Sequence, residues 1–445
     1  MPMSNARSVI AIPFFALLHA VTAAQNRFFD GQCNQKRAMR VRQGKEGSPR
    51  RLSPMVCPCW ETGKSVPIAT ADLSEPFIND LKGAPMPRPG QLKAAASDGL
   101  SDRIALALLM HEFPPETVDR VIAECGRTER RSRLLPARTV VYFVLAMCLF
   151  TQHSYEEVAR MLVEATAWAT RQDGRPPPVP TSAAISRARV RLGPEPLASL
   201  FAQATCDTRA RTARKERCAR YLQWRVIAVD ETTVGVPDTP ENRARYSCPS
   251  ITRAEPAALP QAHLVALAEC GSHTITRAVL GQKPAKTGHA LTHDVVATLT
   301  RGDLLLADRG LADLDLLPVL RAAGADVLWQ AGPRPVLPQH TVLPDGSYLC
   351  ELRCGPAPAR TVVRVLDDPP HRLITTLVDP ELHPASDLRA LYHRRWGIKA
   401  SLEAVGTLRQ DAPPVLRSRW PGGVEQELWG HLLVHHTIHS LLRPA

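Results

Sequence analysis

The spacing of apolar residues divides the chain into regions of different character. Residues 1–95 show no sustained period of 2 or 3.6, which predicts little packed structure. From about residue 100 the apolar positions recur at helical spacing, most clearly over 137–150 and 155–168. A capped helix that carries three arginines is expected over 181–192.

After Arg225 the pattern changes to short apolar runs that are typical of strands. The predicted order is β-β-β-α-β-α-β, and the first and fourth strands each end in an acid, Asp230 and Asp308. This order predicts an α/β protein with a ribonuclease-H-like core. The strands are expected at 225–230, 263–269, 274–280, 303–308 and 326–330, and the helices at 290–299 and 313–322.

The remaining residues suggest a β-rich insertion and two helices that complete the core. Pro/Gly turns alternate with short β-like runs up to residue 384, a long helix is expected over 385–410, and a last helix over 424–442. The predicted domains are therefore a poorly structured extension (1–95), a helical N-terminal DNA-binding domain (96–222), the first part of the core (223–330), the insertion (331–384) and the C-terminal helices (385–445).

The net charge of the chain predicts a polyanionic partner. The formal net charge is +12, and ten basic residues fall between Thr181 and Arg225 against three acids. Arg187, Arg189 and Arg191 lie on the predicted capped helix and are candidates for contacts to double-stranded DNA. A solvated surface or a basic linker is the alternative explanation.

Cysteines and the N-terminus bear on the compartment. The eleven cysteines form no repeated CxxC pair, which favours reduced thiols and a cytoplasmic protein. No stretch reaches the roughly 20 apolar residues of a membrane helix, so no membrane partner is expected, and a DNA partner would make the protein nucleoid-associated. Residues 8–24 (SVIAIPFFALLHAVTAA) resemble a signal peptide, so secretion stays an alternative.

The two acids at strand ends suggest metal-dependent phosphodiester chemistry. Such chemistry uses two divalent cations about 3.5–4 Å apart, and hard cations prefer carboxylate oxygens. Asp230 and Asp308 would lie side by side if the first and fourth strands are neighbours. Taken singly, an Asp at a strand end is more often a turn former.

Three motifs together resemble the transposases of insertion sequence family four. The run Leu391–Ile398 (LYHRRWGI) resembles the family's signature of a Tyr, an Arg three residues on, a Glu four beyond it and a Lys seven further. Val229-Asp230-Glu231-Thr232-Thr233 resembles its first acidic motif, and Ala307-Asp308-Arg309-Gly310 its second. The resemblance covers the chain from about residue 100 to its end.

The resemblance implies a function and roles for four residues. Asp230 and Asp308 would be catalytic metal ligands, Arg395 would hold a phosphate, and Tyr392 would contact the DNA backbone. Relatives of this kind use Mg²⁺, with Mn²⁺ as a substitute. They act as homodimers that cut paired terminal inverted repeats and insert the element into target DNA.

The third catalytic acid departs from the signature. Lys399 stands where the signature has its Glu, and Gly406 stands where it has its Lys. A lysine there opposes metal binding through both lost coordination and repulsion. Glu403 lies one helical turn later and could replace the acid or pair with Lys399. Glu231 should point to the opposite side of its strand.

Histidines recur on the predicted last helix at His431, His435 and His439, with His436 adjacent. Spacing of i, i+4 can bind zinc, but no acid or cysteine is near in sequence, so helix packing is the preferred explanation. The sequence thus leaves three functional hypotheses. They are an active DDE transposase, a non-catalytic DNA-binding relic of one, and a secreted protein that rests on residues 8–24 alone.

Overall fold

A computed structural model of the protein describes residues 98–131, 133, 135–169, 178–212, 220–246, 248, 259–281, 287–311, 313–332, 337–353, 360–368, 371–395 and 415–442. The chain divides into two compact units, Met1–Ser101 and Asp102–Ala445, and the packing described below is that of the second. The predictions for residues 1–95, including the signal-like segment, lie outside the described residues.

Helices make up the first part of the second unit, as the apolar spacing predicted. The centre is an apolar helix whose residues Val140–Cys148 are all buried. Thr181 caps the arginine-bearing helix by accepting a hydrogen bond from the Ala184 N–H, which confirms the predicted cap. A further helix, absent from the prediction, occupies part of the basic stretch. The helices are α1 (Asp98–Glu112), α2 (Pro115–Glu124), α3 (Ala137–Leu149), α4 (Tyr155–Ala169), α5 (Ser182–Leu192) and α6 (Glu195–Thr212).

A mixed sheet follows, with the predicted order of strands and helices. Its strands are β1 (Arg220–Tyr221), β2 (Trp224–Gly235), β3 (Gln261–Glu269), β4 (Ile275–Gly281), β5 (Asp303–Ala307), β6 (Asp326–Ala331), β7 (Thr341–Val342), β8 (Tyr348–Arg353), β9 (Arg360–Asp368) and β10 (His371–Thr375). Its helices are α7 (Pro240–Arg245), α8 (Thr287–Val296) and α9 (Leu316–Ala323). The spatial order is β4-β3-β2-β5-β6-β10-β9-β8-β7, and β1 pairs with β2.

Parallel pairing is confined to the centre of the described sheet. Strand β5 lies between β2 and β6 and is parallel to both, whereas the other pairs are antiparallel. Residues Leu304, Leu305 and Leu306 are fully buried because helices cover both faces of these strands. The first and fourth predicted strands are therefore neighbours, as the sequence analysis required.

The β-rich segment extends the same sheet. Strand β10 pairs with β6, and β9, β8 and β7 follow outward. The buried Arg364 of β9 forms an ion pair with Asp345 and donates a hydrogen bond of 2.7 Å to the His383 carbonyl. Asp345 also accepts the Ala385 N–H. These bonds fix the start of the next helix relative to the sheet.

In the described part of the chain that follows lie the helices α10 (Ala385–His393) and α11 (Pro421–Leu442). The expectation of one long helix over 385–410 is wrong at Arg394. There the N–H groups of Arg394 and Arg395 bond to the carbonyls of Leu391 and Tyr392, three residues back. This tightened turn ends α10, and residues 396–414 lie outside the described part of the chain.

Alternate residues of β2 face two separate cores. Val226 and Ala228 pack with the N-terminal helices, α10 and α11, while Ile227 and Val229 pack with α8 and α9. Helix α11 crosses α3 at Gly430, where an added Cβ would lie 2.6 Å from the Cys148 Sγ. The two helices can therefore approach this closely because Gly430 has no Cβ atom.

Candidate active site and nucleic-acid interface

Asp230 and Asp308 lie at the same level on neighbouring parallel strands, although the prediction that the first strand ends at Asp230 is wrong, because β2 continues to Gly235. The last hydrogen-bonded pair of β2 and β5 joins Ala228 to Leu306, so the same register two residues on brings Asp230 level with Asp308. Neighbouring strands are about 4.8 Å apart, which places the two Cα atoms within reach of a shared cation pair. Asp230 is buried within β2, and the Asp308 side chain is 36% exposed just after β5.

Both acids belong to the sheet face that α10 covers. Val226 and Ala228 precede Asp230 on that face, and Leu304 and Leu306 precede Asp308. Glu231 pairs with Val265, a residue of the other face, and is exposed. The prediction that Glu231 points away from Asp230 is confirmed, so Glu231 cannot substitute as a ligand there.

Arg395 reaches this site from the end of α10. Its Nη1 lies 3.7 Å from the Asp308 Oδ2, and only 7% of its side chain is exposed. Its guanidinium carbon lies 5.5 Å from the centre of the Tyr392 ring. Residues three apart are eclipsed in a tightened turn, which is why Tyr392 and Arg395 share one side of the chain.

Tyr392 is an internal residue of the site rather than an exposed one. It is 5% exposed, and its hydroxyl donates to the Gln330 Oε1 at 3.3 Å. Burial raises the pKa of Tyr392, and the neighbouring Arg395 partly offsets this. The predicted contact between Tyr392 and a DNA backbone is therefore not available in this conformation, where the ring supports Arg395.

The geometry of Asp308 fits metal coordination in part. Its Oδ1 accepts the N–H groups of Gly310 and Leu311 at 2.9 and 3.2 Å, which fixes the carboxylate orientation. Its Oδ2 faces Arg395, a cation at the place where a metal would bind. Within the described residues no group of three His, Cys, Asp or Glu side chains could hold a metal ion. Two carboxylates are thus in place, and the residues of the third position, Lys399, Glu403 and Gly406, lie outside the described ranges.

The arginines of α5 divide into exposed and buried positions. Arg187 and Arg191 are exposed, whereas Arg189 is 2% exposed. Arg189 donates to the Tyr155 hydroxyl, the Gln426 Oε1, the Ser418 Oγ and the Gly423 carbonyl, at 2.7 to 3.0 Å. The prediction that Arg189 belongs to an exposed DNA-contacting face is wrong, because this arginine joins α4, α5 and α11 inside the protein.

A second group of arginines, which the sequence analysis missed, lies beside α5. The loop between α2 and α3 carries the exposed residues Arg130, Arg131 and Arg133. Glu129 of this loop forms an ion pair with Arg191 at 3.3 Å. The sequence run 127–133 (RTERRSR) does indicate a second basic surface. It was missed because it lies far along the chain from the larger basic stretch between Thr181 and Arg225.

Within the described part of the chain, the histidines of α11 pack inside the protein. His435 and His436 are buried, and the His436 Nε2 lies 3.7 Å from Glu112 of α1. Burial lowers the pKa of His431 to about 4, and Arg417 adds to this. The preferred explanation, helix packing, fits these positions. Across the same described residues, no helix is both long and apolar enough to cross a bilayer.

Comparisons with known proteins agree with this geometry. Residues 103–202 match the family described as insertion element 4 transposase N-terminal, and residues 223–398 match the transposase DDE domain. Transposase InsG for insertion sequence element IS4, from Escherichia coli (strain K12), is 28% identical over 351 residues, which are 76% of this chain and 76% of that protein. The cryo-EM structure of a piggyBac transposase synaptic complex with hairpin DNA aligns with a TM-score of 0.40 at 11% identity, over 76% of this chain and 75% of that one. That structural similarity is too remote to support an inference.

Proposed function

Because the chain belongs to the IS4 family of DDE transposases, we propose that it binds the ends of an insertion sequence and that Asp230 and Asp308 hold the divalent cations of its DNA cleavage site. The observation that supports this most directly is the level position of the two acids on adjacent parallel strands, under α10. Asp230 lies within β2 and Asp308 directly follows β5, so the sheet keeps both carboxylates on rigid backbone, as a metal pair requires.

Each residue would then act on DNA in a specific way. Bound Mg²⁺ would polarise the phosphodiester and activate the attacking oxygen. Asp308 is held for coordination by the Gly310 and Leu311 N–H groups, and Arg395 would turn from Asp308 to a phosphate oxygen when the cations bind. The exposed Arg187 and Arg191 of α5 would neutralise backbone phosphates of the same DNA. The protein would act as a homodimer on paired element ends. It would do so in the cytoplasm, in association with the nucleoid.

A second candidate function is DNA binding without cleavage. Lys399, which stands at the position of the signature glutamate, favours it. An ammonium group would repel the cations that Asp230 and Asp308 attract. DNA binding through arginines does not need the metal site, so this function would survive the loss of the third acid.

A DNA cleavage assay that compares the natural protein with variants of Lys399 distinguishes the two functions. The substrate is a duplex that carries the terminal inverted repeats flanking the reading frame, incubated with Mg²⁺ or Mn²⁺. We expect Lys399→Glu to cleave faster than the natural protein, and Asp308→Asn in that background to abolish the cleavage. Natural protein that cleaves, with activity lost in Glu403→Gln but kept in Lys399→Ala, would instead identify Glu403 as the third acid. Absence of DNA binding in every variant would refute both functions.

A further inference from the structure

A cleft lies beyond the end of the strand that carries Asp230. Strand β2 continues for five residues past Asp230 to Gly235, about 16 Å at the rise of an extended chain. There Gly235 forms a parallel bridge with Val415, and its carbonyl accepts the Leu416 N–H at 3.0 Å. From this bridge the chain runs directly into Arg417–Trp420, which form one wall of the cleft.

The opposite walls come from the N-terminal helices. The loop before α4 and the exposed side of α5 enclose the cleft, whose volume is about 1080 Å³. Five arginines line it against two acids, Glu156 and Glu157. Both acids are engaged locally, because Glu156 accepts the Ser182 N–H at 3.1 Å and Glu157 accepts the Ser154 N–H at 2.7 Å. The cleft therefore presents an excess of positive charge. The arginines are Arg187, Arg189, Arg191, Arg417 and Arg419.

The arginines of the cleft have different tasks. Arg189 is buried, and Arg417 donates to the Phe150 carbonyl, so these two fix the floor and the relative position of the walls. Arg187 on α5 and Arg419 on the facing segment are exposed. Among the described residues neither guanidinium forms an ion pair. A rigid floor with two exposed cations on facing walls is suited to a polyanion.

We propose that this cleft holds the sugar–phosphate backbone of duplex DNA about five or more base pairs from the phosphodiester at Asp230 and Asp308. The distance follows from the 16 Å of β2 and a rise of about 3.4 Å per base pair. The proposal rests on the proposed function, since it assumes that DNA reaches the two acids. It goes beyond that function by assigning Arg187 and Arg419, on two separate elements, to one DNA strand.

The test uses the salt dependence of binding by the full-length protein. A fluorescein-labelled duplex of random sequence and about 30 base pairs is titrated with protein between about 50 and 200 mM salt. The variant is Arg187→Ala/Arg419→Ala. The matched control is Arg301→Ala/Arg321→Ala, which removes the same charge from two exposed arginines. Arg301 precedes β5, at the end of that strand opposite Asp308.

We expect the cleft variant to reduce the slope of log affinity against log salt by about 1.8, or about 0.9 for each lost phosphate contact. The control should keep the slope of the natural protein. An unchanged slope in the cleft variant, or an equal reduction in the control, overturns the proposal. Loss of polyglutamate binding in the cleft variant with no change in DNA binding also overturns it and assigns the cleft to an acidic protein. Natural protein that shows no salt-dependent DNA binding would refute the proposed function itself.

A second measurement tests the position of the cleft along the DNA. Arg419→Cys is labelled with an iron chelate that cuts nearby backbone, and natural protein treated in the same way gives the background from all the natural cysteines. Among the described ones, Cys206 and Cys248 are exposed. On a terminal-repeat duplex we expect additional strand scission about five or more base pairs from the element end. Scission no stronger than the background at those positions would contradict the assignment.

Discussion

The guanidinium of Arg395 lies 3.7 Å from the carboxylate of Asp308, at the place where a divalent cation would coordinate. The tightened turn that ends α10 brings Arg395 to this position, and the Tyr392 ring lies against it. If the proposed cations bind at Asp308, Arg395 and a cation would compete for this carboxylate. Loss of the Arg395 side chain would then have opposite effects on the binding of metal and of DNA.

We expect Arg395→Ala to strengthen Mn²⁺ binding and to weaken DNA binding. Removal of the guanidinium lowers the positive potential at Asp308, and it also removes the cation that the proposed function assigns to a phosphate. Mn²⁺ affinity measured by electron paramagnetic resonance should rise several-fold, and affinity for duplex DNA should fall about tenfold, equivalent to about 1.4 kcal/mol. Arg394→Ala is the control for a neighbouring arginine. Changes in the same direction for both ligands would contradict the competition.

Lys399→Glu should increase metal affinity whether or not the protein cleaves DNA. The substitution exchanges a cation for a third carboxylate, the ligand type that hard cations prefer. We expect more than a tenfold gain in Mn²⁺ affinity, measured calorimetrically, with Lys399→Ala intermediate. Asp308→Asn in the Lys399→Glu background should cancel the gain. Equal affinities of the natural protein and Lys399→Glu would show that residue 399 does not face the two acids.

The buried pair of Arg189 and Glu427 should dominate the stability of the helical part. Their closest charged atoms are 3.7 Å apart, and both side chains are at most 3% exposed. Arg189→Met leaves the Glu427 charge buried without its cation, so we expect a loss of about 3–5 kcal/mol in urea unfolding. Arg189→Met/Glu427→Leu should lose less than the single variant. A larger loss in the double variant would show that the hydrogen bonds of Arg189 matter more than the charge.

Acid should destabilise the protein through the histidines of α11. Burial lowers the pKa of His431 to about 4, and that of His435 well below its ordinary value. Since the unfolded chain binds these protons near pH 6.5, stability is complete above that pH and is lost as the pH falls toward 4. The free energy of unfolding, measured at several pH values, should decrease across this window.

The contribution of His435 to this effect can be isolated. Groups near it are His273, His436 and His439, with Glu112 beside His436. His435→Leu removes one site that must stay neutral, so its stability should decrease less steeply with acid. His340→Leu, a change at an exposed histidine, should keep the natural pH profile. Identical profiles for the two variants would assign the acid sensitivity to other groups.

The effect of Gly430→Ala on stability should change sign when Cys148 is replaced by Ala. Gly430→Ala places a Cβ 2.6 Å from the Cys148 Sγ, so we expect a loss of about 1–3 kcal/mol from overpacking. In a Cys148→Ala background that atom is absent, and the higher helix propensity of Ala should contribute about 1 kcal/mol of stability. Thermal unfolding of the four proteins gives the coupling. Additive effects would mean that α3 and α11 separate to accept the methyl group.

Local pattern was sufficient for most of the elements and for choosing Asp230 and Asp308 as candidates. Short apolar runs predicted β3 to β6 within two residues, whereas β2 continues five residues past its predicted end. Asp230 and Asp308 were chosen because each ends such an apolar run. Helix α6 was missed although Leu197, Leu200 and Phe201 recur at helical spacing, because the interpretation of this stretch rested on its basic residues. The break of the predicted long helix at Arg394 also has no local signal, as neither Gly nor Pro is present there.

The sequence by itself predicted the strand order through its periodicity, and its motifs carried the family resemblance and the choice of Asp230 and Asp308, because all of these depend on residues close together along the chain. Only the tertiary structure decided which charges face solvent and which lie inside. Arg187, Arg189 and Arg191 are equivalent in sequence, yet Arg189 is buried against Tyr155, Ser418 and Gln426 from distant segments. Arg419 likewise faces the cleft that α5 lines because Val415, four residues before it, bridges to Gly235 at the end of β2. Burial is set by long-range packing, and the pattern of a single segment does not contain it.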